Sequence, residues 1–325
     1  MALLLLRIWL GFMCLLHMGP HYTRSQDMFF GLNNYTEYIV GNMSMIITVP
    51  HGGDKLPSEI PNRDAGCWNT DSYTCQFTHS CPAGSQKDSV KCKVSTLQDK
   101  YTLNVALNLA EEICALTGGY CPHIVINHLG RSKLDANREK EEATFGVPQA
   151  ELAWEEFTDF INVSKSQVGR GLLVDIHGQV HPEQWIELGY TLSKASLDSG
   201  KFTAAQSSIH RLAQDYSDVS FETLLRGERS LGNFIEEQNG INNYICVPSP
   251  KNPGPNGGNY FAGGYITETF GSKKSGLVDA IQIELPRWIR ENNERPRFCK
   301  ALAKAMMTFW QTNYCNQTES KLVGC

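Results

Sequence analysis

Four short apolar runs, each bringing a polar side chain to its carboxyl end, constrain this fold more than any other feature of the chain. Residues 43–49 are a β-rich, largely apolar run, and they stop at Pro50-His51-Gly52-Gly53. Residues 123–128 form a second run, residues 171–176 a third that stops at His177, and residues 279–285 a fourth that carries Glu284. Runs of this length without polar alternation read as strands covered on both faces, as in a parallel sheet. Segments of helical spacing separate them. Leu103, Leu107, Ala110 and Cys114 predict a helix within residues 99–116 that stops at Gly118-Gly119. Leu152, Trp154, Phe157, Phe160 and Ile161 predict another within residues 151–161. The expected fold is therefore α/β, a mixed and largely parallel twisted sheet flanked by helices. A further strand at residues 185–192, short helices over 207–239 broken at Gly227, and a closing helix with Phe298, Leu302, Ala305, Met306, Phe309 and Trp310 inward complete it. Residues 248–264 are a Pro-, Gly- and Asn-rich loop, and no fixed-period repeat is present.

The chain has 325 residues, 41% hydrophobic and 19% charged, enough for one sizeable domain over residues 26–325. Lys plus Arg total 29 against 34 acidic residues, so no basic excess argues for nucleic acid or an anionic membrane as partner. Residues 1–25 read as a leader. Its apolar stretch from Ile8 to Leu16 is short for a bilayer span and lacks a basic stop-transfer cluster, so a signal peptide cut between Gly19 and Ser25 is expected. An uncleaved anchor is the alternative, and no later segment is apolar for long enough to span.

Cys14 falls in the leader, leaving Cys67, Cys75, Cys81, Cys92, Cys114, Cys121, Cys246, Cys299, Cys315 and Cys325. An even set behind a leader suits disulfides and a secreted, extracellular destination. At about residues 62–95 the surroundings are polar, and disulfides are expected to hold an insertion with no core of its own; paired C-x-x-C units that would suggest a zinc knuckle are missing. Sequons at Asn34, Asn42, Asn162 and Asn316 make these the expected N-glycan sites, Asn42 being set close to a buried strand.

In open α/β sheets ligands gather beyond the carboxyl ends of the strands. A catalytic zinc takes three N or O ligands and keeps one position open for water. His51, Asp54 and His177 are the candidate ligands for one Zn2+ ion, with Gly52 and Gly53 allowing a tight bend between the first two. Taken singly, His51 reads better as a hydrogen-bonded turn residue and Asp54 as a helix or turn cap, and it is the combination with His177 that points to a metal. Asp175 either closes its strand or orients a ligand from behind. Glu284, in an apolar strand, needs a cation or an activated water as partner, or a salt bridge to Arg287 or Arg290. Its neighbours Ile283 and Leu285 should face the other way, which favours an acid–base role for Glu284. Arg131, Asn137 and Arg138 follow the second run and suit a substrate carboxylate, against the plainer reading of a solvated basic turn pairing with Glu139, Glu141 and Glu142, which Lys133 fits best.

Val49-Pro50-His51-Gly52-Gly53, Arg131-Ser132-Lys133-Leu134-Asp135-Ala136-Asn137-Arg138, Asp175-Ile176-His177-Gly178 and Ile281-Gln282-Ile283-Glu284, in this order, resemble the N-formylglutamate amidohydrolase family. The resemblance spans about residues 45–309 and implies a fold similar to the zinc carboxypeptidases. It implies that His51, Asp54 and His177 hold the metal, Glu284 is the general base, Arg131 stabilises the oxyanion, and Asn137 and Arg138 engage the substrate carboxylate. Asp54 stands where a carboxypeptidase has Glu, one methylene shorter, so His181 or His128 is the alternative third ligand. The implied reaction is hydrolysis of an amide next to a carboxylate, in an N-acyl amino acid or at a peptide C-terminus. A G-x-S-x-G elbow and an H-E-x-x-H motif are absent, and the cysteines suit disulfides better than nucleophilic catalysis. The competing reading is a secreted binding glycoprotein that keeps the fold without turnover.

Overall fold

The structure is a computed structural model that describes residues 26–238, 244–315 and 322–325. The leader and Asn316 lie outside the described residues. The strands are β1 Met28–Phe30, β2 Thr36–Ile39, β3 Met45–Val49, β4 Cys67–Asn69, β5 Thr74–Gln76, β6 Ser85–Lys87, β7 His123–Asn127, β8 Gly171–Gln179, β9 Ile186–Gly189, β10 Cys246–Val247 and β11 Val278–Pro286. The helices are α1 Thr102–Leu116, α2 Lys140–Thr144, α3 Pro148–Val168, α4 Lys194–Ser199, α5 His210–Gln214, α6 Phe221–Arg226, α7 Leu231–Glu237, α8 Tyr265–Phe270, α9 Arg287–Arg290 and α10 Arg295–Trp310.

Eight strands form one sheet in the order β1-β2-β7-β3-β8-β11-β9-β10. Its centre, β7-β3-β8-β11, is parallel, while β1, β2 and β9 join their inner neighbours antiparallel. This is the expected mixed, largely parallel α/β sheet. Every residue of β3, β7 and β11 is buried, which explains why these strands read as largely apolar runs. Period-2 alternation still sorts them into two layers. Met45, Ile47 and Val49 join Val174, Ile176, Ile281 and Ile283 in one core, which α1 and α10 cover. Ile46, Leu173, Val278 and Ala280 face the other side with Phe157 and Ile161 of α3 and Ile266 and Phe270 of α8.

The polar residues of β8 and β11 continue that second row. Beyond Leu173 come Asp175 and His177; beyond Ala280 come Gln282 and Glu284. Helices α3 and α8 therefore cover the amino half of this face, and the carboxyl half carries the ionisable groups.

Two helix readings need correction. The buried stripe of α1 is Val105, Ala106, Leu109, Ala110 and Ile113, whereas Leu107 is exposed. Asn104, Asn108, Glu111 and Glu112 form the polar face and Leu107 lies at its border, so packing on β3 and α10 falls on the opposite stripe. Residues 99–101 precede α1; its first turn follows Tyr101, held in the left-handed region at φ 72°. Helix α3 runs to Val168, a turn and more beyond the expected end.

The insertion at residues 62–95 is a three-stranded sheet of β5-β4-β6, bridged by Cys67–Cys81 and Cys75–Cys92. Cys114–Cys121 and Cys315–Cys325 are the other disulfides among the described residues. Cys246 and Cys299 depart from the expected full pairing: both are free, and burial pushes both thiols up, which removes thiolate reactivity. No helix among the described residues is long and apolar enough to cross a membrane. Asn34 and Asn162 are exposed, as a glycan acceptor must be. Asn42 is half-buried, its side chain bonded to the Gly119 carbonyl and the Cys121 amide.

Candidate metal centre

The turn after β3 places His51 over the sheet, where the ring is buried. A Cβ on Gly53 would lie 2.3 Å from the His128 carbonyl carbon, so only glycine lets the turn pass this close to the end of β7. From there the chain runs extended beside residues 128–130, with Lys55 N donating to His128 O and Gly130 N to Lys55 O. That bridge carries Asp54 out to solvent, away from His51. The expectation that Asp54 is the third ligand is thereby corrected.

Asp99 is the carboxylate that stands beside the two histidines. Its backbone N–H donates to His51 O, and Gln98 Nε2 donates to Gly52 O, so the approach to α1 is sewn onto the histidine turn. Among the described residues, His51, Asp99 and His177 are the group able to hold a metal ion. His51 Nδ1 and His177 Nδ1 are 3.1 Å apart, and Asp99 Oδ2 lies 3.2 Å from the first and 3.3 Å from the second. A tetrahedron with bonds of about 2.0 Å has edges of about 3.3 Å, so these three atoms fit a face of a zinc or similar coordination sphere.

The protons agree with that fit. His51 Nε2 lies 2.6 Å from Asp135 Oδ1, and His177 Nε2 lies 2.7 Å from Asp175 Oδ2. Each carboxylate takes the Nε2–H of its ring, which turns both Nδ1 lone pairs toward Asp99. Either a metal ion among these three atoms or a proton on an Nδ1 satisfies the arrangement, and although burial acts to lower His177, Asp175, Asp99 and Glu284 hold its imidazole well above the ordinary value. Carboxylates behind ligating histidines fix both tautomer and basicity. Asp175 thus orients His177, as one of its two readings anticipated.

Glu284 stands beside His177 in the β11–β8 register, with Oε1 3.9 Å from His177 Nδ1. It pairs with neither Arg287 nor Arg290. Arg287 bonds Glu291, and Arg290 binds the carbonyls of Leu285, Lys100 and Gln179, clamping the ends of the two central strands. Oε1 of Glu284 accepts from Gln282 Nε2 at 3.0 Å, while Oε2 is buried with no protein partner. Burial pushes this carboxyl up to about 8; His177 opposes the shift, Asp99 and Glu187 add to it, and Arg131 opposes it. A carboxylate so placed takes up a proton readily near neutral pH. At Asp99 burial acts upward too, yet His51 and His177 outweigh it and hold the group well below the usual carboxylate range.

Arg131 Nε donates to Asp135 Oδ2 at 2.9 Å, and its Nη1 is 3.6 Å from Asp99 Oδ1, so this cation lies at the edge of the group. Arg63, absent from the sequence reading, is buried beneath it and binds the carbonyls of Arg131, Ser95 and Glu142. Asn137 is buried: Oδ1 accepts from Ile266 N, and Nδ2 lies 3.3 Å from His177 Nε2. Arg138 is half-buried, pairs with Glu142, and lines a cleft of about 370 Å3 with Asn137, Thr191 and Tyr265. Lys133 is no solvated turn residue, since it is buried and donates to Ile60 O. His128 bonds Glu37 and His181 bonds Glu187, so neither substitutes for Asp54. Asp99 and Glu187 had no sequence signal: Asp99 reads as a helix-start residue, and Glu187 sits in a strand of only four residues.

Fold and donor set define an α/β protein with a buried group of two histidines and one carboxylate at the carboxyl ends of its parallel strands. No family model matches the chain, and no curated protein matches it. Among solved structures it is similar to gene product Atu2144 from Agrobacterium tumefaciens, with a TM-score of 0.43, 13% identity, and coverage of 84% of this chain and 92% of that one. It is also similar to N-formylglutamate amidohydrolase from Ralstonia eutropha, with a TM-score of 0.40, 10% identity, and coverage of 89% and 97%. A third neighbour is the N-acetylmuramyl-L-alanine amidase Ami1 from Mycobacterium abscessus, at 0.32, 10%, 83% and 99%. At such identities the neighbours' activities do not pass to this chain.

Proposed function

We propose that this chain is a secreted, zinc-dependent amidohydrolase that cleaves an amide bond next to a substrate carboxylate, in an N-acyl amino acid or at a peptide C-terminus. The observation that carries the reading is the triangle of His51 Nδ1, Asp99 Oδ2 and His177 Nδ1, with edges of 3.1–3.3 Å and each imidazole backed by a carboxylate. Two imidazoles and a carboxylate suit zinc. When bound there, zinc would supply Lewis acidity, lowering the pKa of water and polarising the amide carbonyl.

The chain's own residues do the rest. Glu284, with one oxygen unpartnered and its carboxyl raised by burial, accepts the water proton and returns it to the leaving nitrogen. Arg131, held in place by Asp135, presents a fixed guanidinium to the oxygen that gains charge. Arg138, one of two cations on the open cleft with Lys274, takes the substrate carboxylate, and Asn137 lines the same cleft while tying its loop to α8. The disulfides support an oxidising destination for the chain.

Metal analysis of the purified protein, followed by hydrolysis assays on N-acyl amino acids and short peptides, tests the reading. Zinc should be bound and amide cleavage should depend on it. A protein that neither contains nor takes up zinc would overturn the proposal; zinc without cleavage, with Glu284→Gln changing nothing, would favour the binding glycoprotein.

A further inference from the structure

The register of β11 with β9 pairs Glu284 with Glu187. Residues directly opposite in an antiparallel pair project from the same face, so the Glu187 carboxylate lies on the face that carries Glu284 and His177. Glu187 is fully buried, and a second carboxylate beside Glu284 is a costly choice for a strand paired on both sides. What it does is hold two groups. Its Oε1 lies 2.6 Å from His181 Nδ1, and its Oε2 accepts the Phe261 N–H at 2.7 Å.

The segment between β8 and β9 fixes His181 further. Its N–H donates to Gln179 Oε1, and its carbonyl accepts from Gln184 Nε2 at 2.7 Å. The ring packs against that of Phe261, with centroids 4.7 Å apart. His181 Nε2 alone has no protein partner among the described residues and reaches solvent, the side chain being 20% exposed. Phe261 is 45% exposed although its main chain is anchored to a buried acid. A rigidly held imidazole with one free ring nitrogen, next to an open aromatic ring, resembles a binding ledge more than a packing contact.

We propose that His181, oriented by Glu187, and Phe261 form a substrate-binding ledge that takes an aromatic or similarly planar group carried next to the scissile amide. The ring of that group stacks on Phe261, and a polar atom on it bonds His181 Nε2. This assignment rests on the amidohydrolase reading and adds a substrate class to it.

The test compares N-benzoylglycine and N-formylphenylalanine with N-formylglycine as substrates of the zinc-loaded protein. Wild type should favour at least one aromatic compound by roughly tenfold in kcat/KM, mainly through KM, since an aromatic contact of this kind is worth on the order of 1 kcal/mol or more. His181→Ala and Phe261→Ala should each bring that ratio close to one, with zinc content and melting temperature serving as checks on folding. Equal kcat/KM values in wild type, or a ratio that survives both substitutions, would overturn the ledge while leaving amide hydrolysis standing. If no compound is cleaved, the hydrolase reading fails and the ledge is still decided: calorimetric binding to Glu284→Gln should rank the aromatic compounds tighter, and equal affinities would overturn it.

Discussion

Exchanging Asp99 and Asp54 in turn separates two ligand sets that share both histidines. The donor triangle has edges averaging about 3.2 Å, which places a tetrahedral ion about 2.0 Å from each atom, close to ordinary zinc–nitrogen and zinc–oxygen lengths. Zinc that binds the folded state alone, present at 100 times its Kd, stabilises the fold by about 2.7 kcal/mol. With an unfolding entropy of about 2.1 cal/mol/K per residue, 325 residues convert this to a rise in Tm of about 4 °C. Asp99→Asn keeps the volume and removes the charged donor. If the Kd rises about 100-fold, the same zinc concentration stabilises by only about 0.4 kcal/mol, a shift below about 1 °C. Asp54→Asn should retain the full rise because that side chain is in solvent. Differential scanning calorimetry on chelator-stripped protein with and without zinc reads all three proteins. A full shift in Asp99→Asn, or loss of the shift in Asp54→Asn, would refute the ligand set derived from these distances.

Glu284→Gln should keep zinc binding and lower kcat by roughly 10²–10⁴, the usual worth of a general base, as read by steady-state kinetics beside metal analysis. Arg138→Ala should raise KM for carboxylate-bearing substrates about tenfold or more and leave their uncharged amide analogues little changed, because Arg138 lines the cleft. Asp135→Asn should weaken zinc binding about 10–100-fold by releasing His51 Nε2, measured by competition with a chelator. His123 on β7 is buried, its Nδ1 accepts the Gly41 N–H, and burial lowers it from about 6.5 to about 4. The unfolded chain binds this proton first, so its contribution is intact above pH 6.5 and is lost as pH falls from 6.5 toward 4, up to roughly 3 kcal/mol. Urea midpoints at pH 7 and pH 4.5 should therefore differ less in His123→Gln than in wild type.

Period and length carried most of the fold at the level of sequence. Largely apolar runs are a consequence of strands covered on both faces, and they marked β3, β7, β8 and β11 together with His51, His177 and Glu284. The alternation of Ile283, Glu284 and Leu285 also placed Glu284 on the polar face. Local pattern could not reach the third donor. His51 and Asp99 are 48 residues apart and meet only because the approach to α1 bonds back onto the turn after β3. Glu187 likewise becomes a neighbour of Glu284 only through the antiparallel pairing of β9 with β11.

By itself, then, the sequence determined a parallel-centred α/β sheet, a histidine at the end of one strand and another within the next, and an acid in a strand too apolar to tolerate it without a partner. Tertiary structure decided which carboxylate completes the group, which side chains orient the imidazoles, and that Asp54 faces water. The physical reason is range: strand and helix periodicities are written in neighbouring residues, whereas a three-atom triangle of about 3 Å edges depends on how separate segments dock.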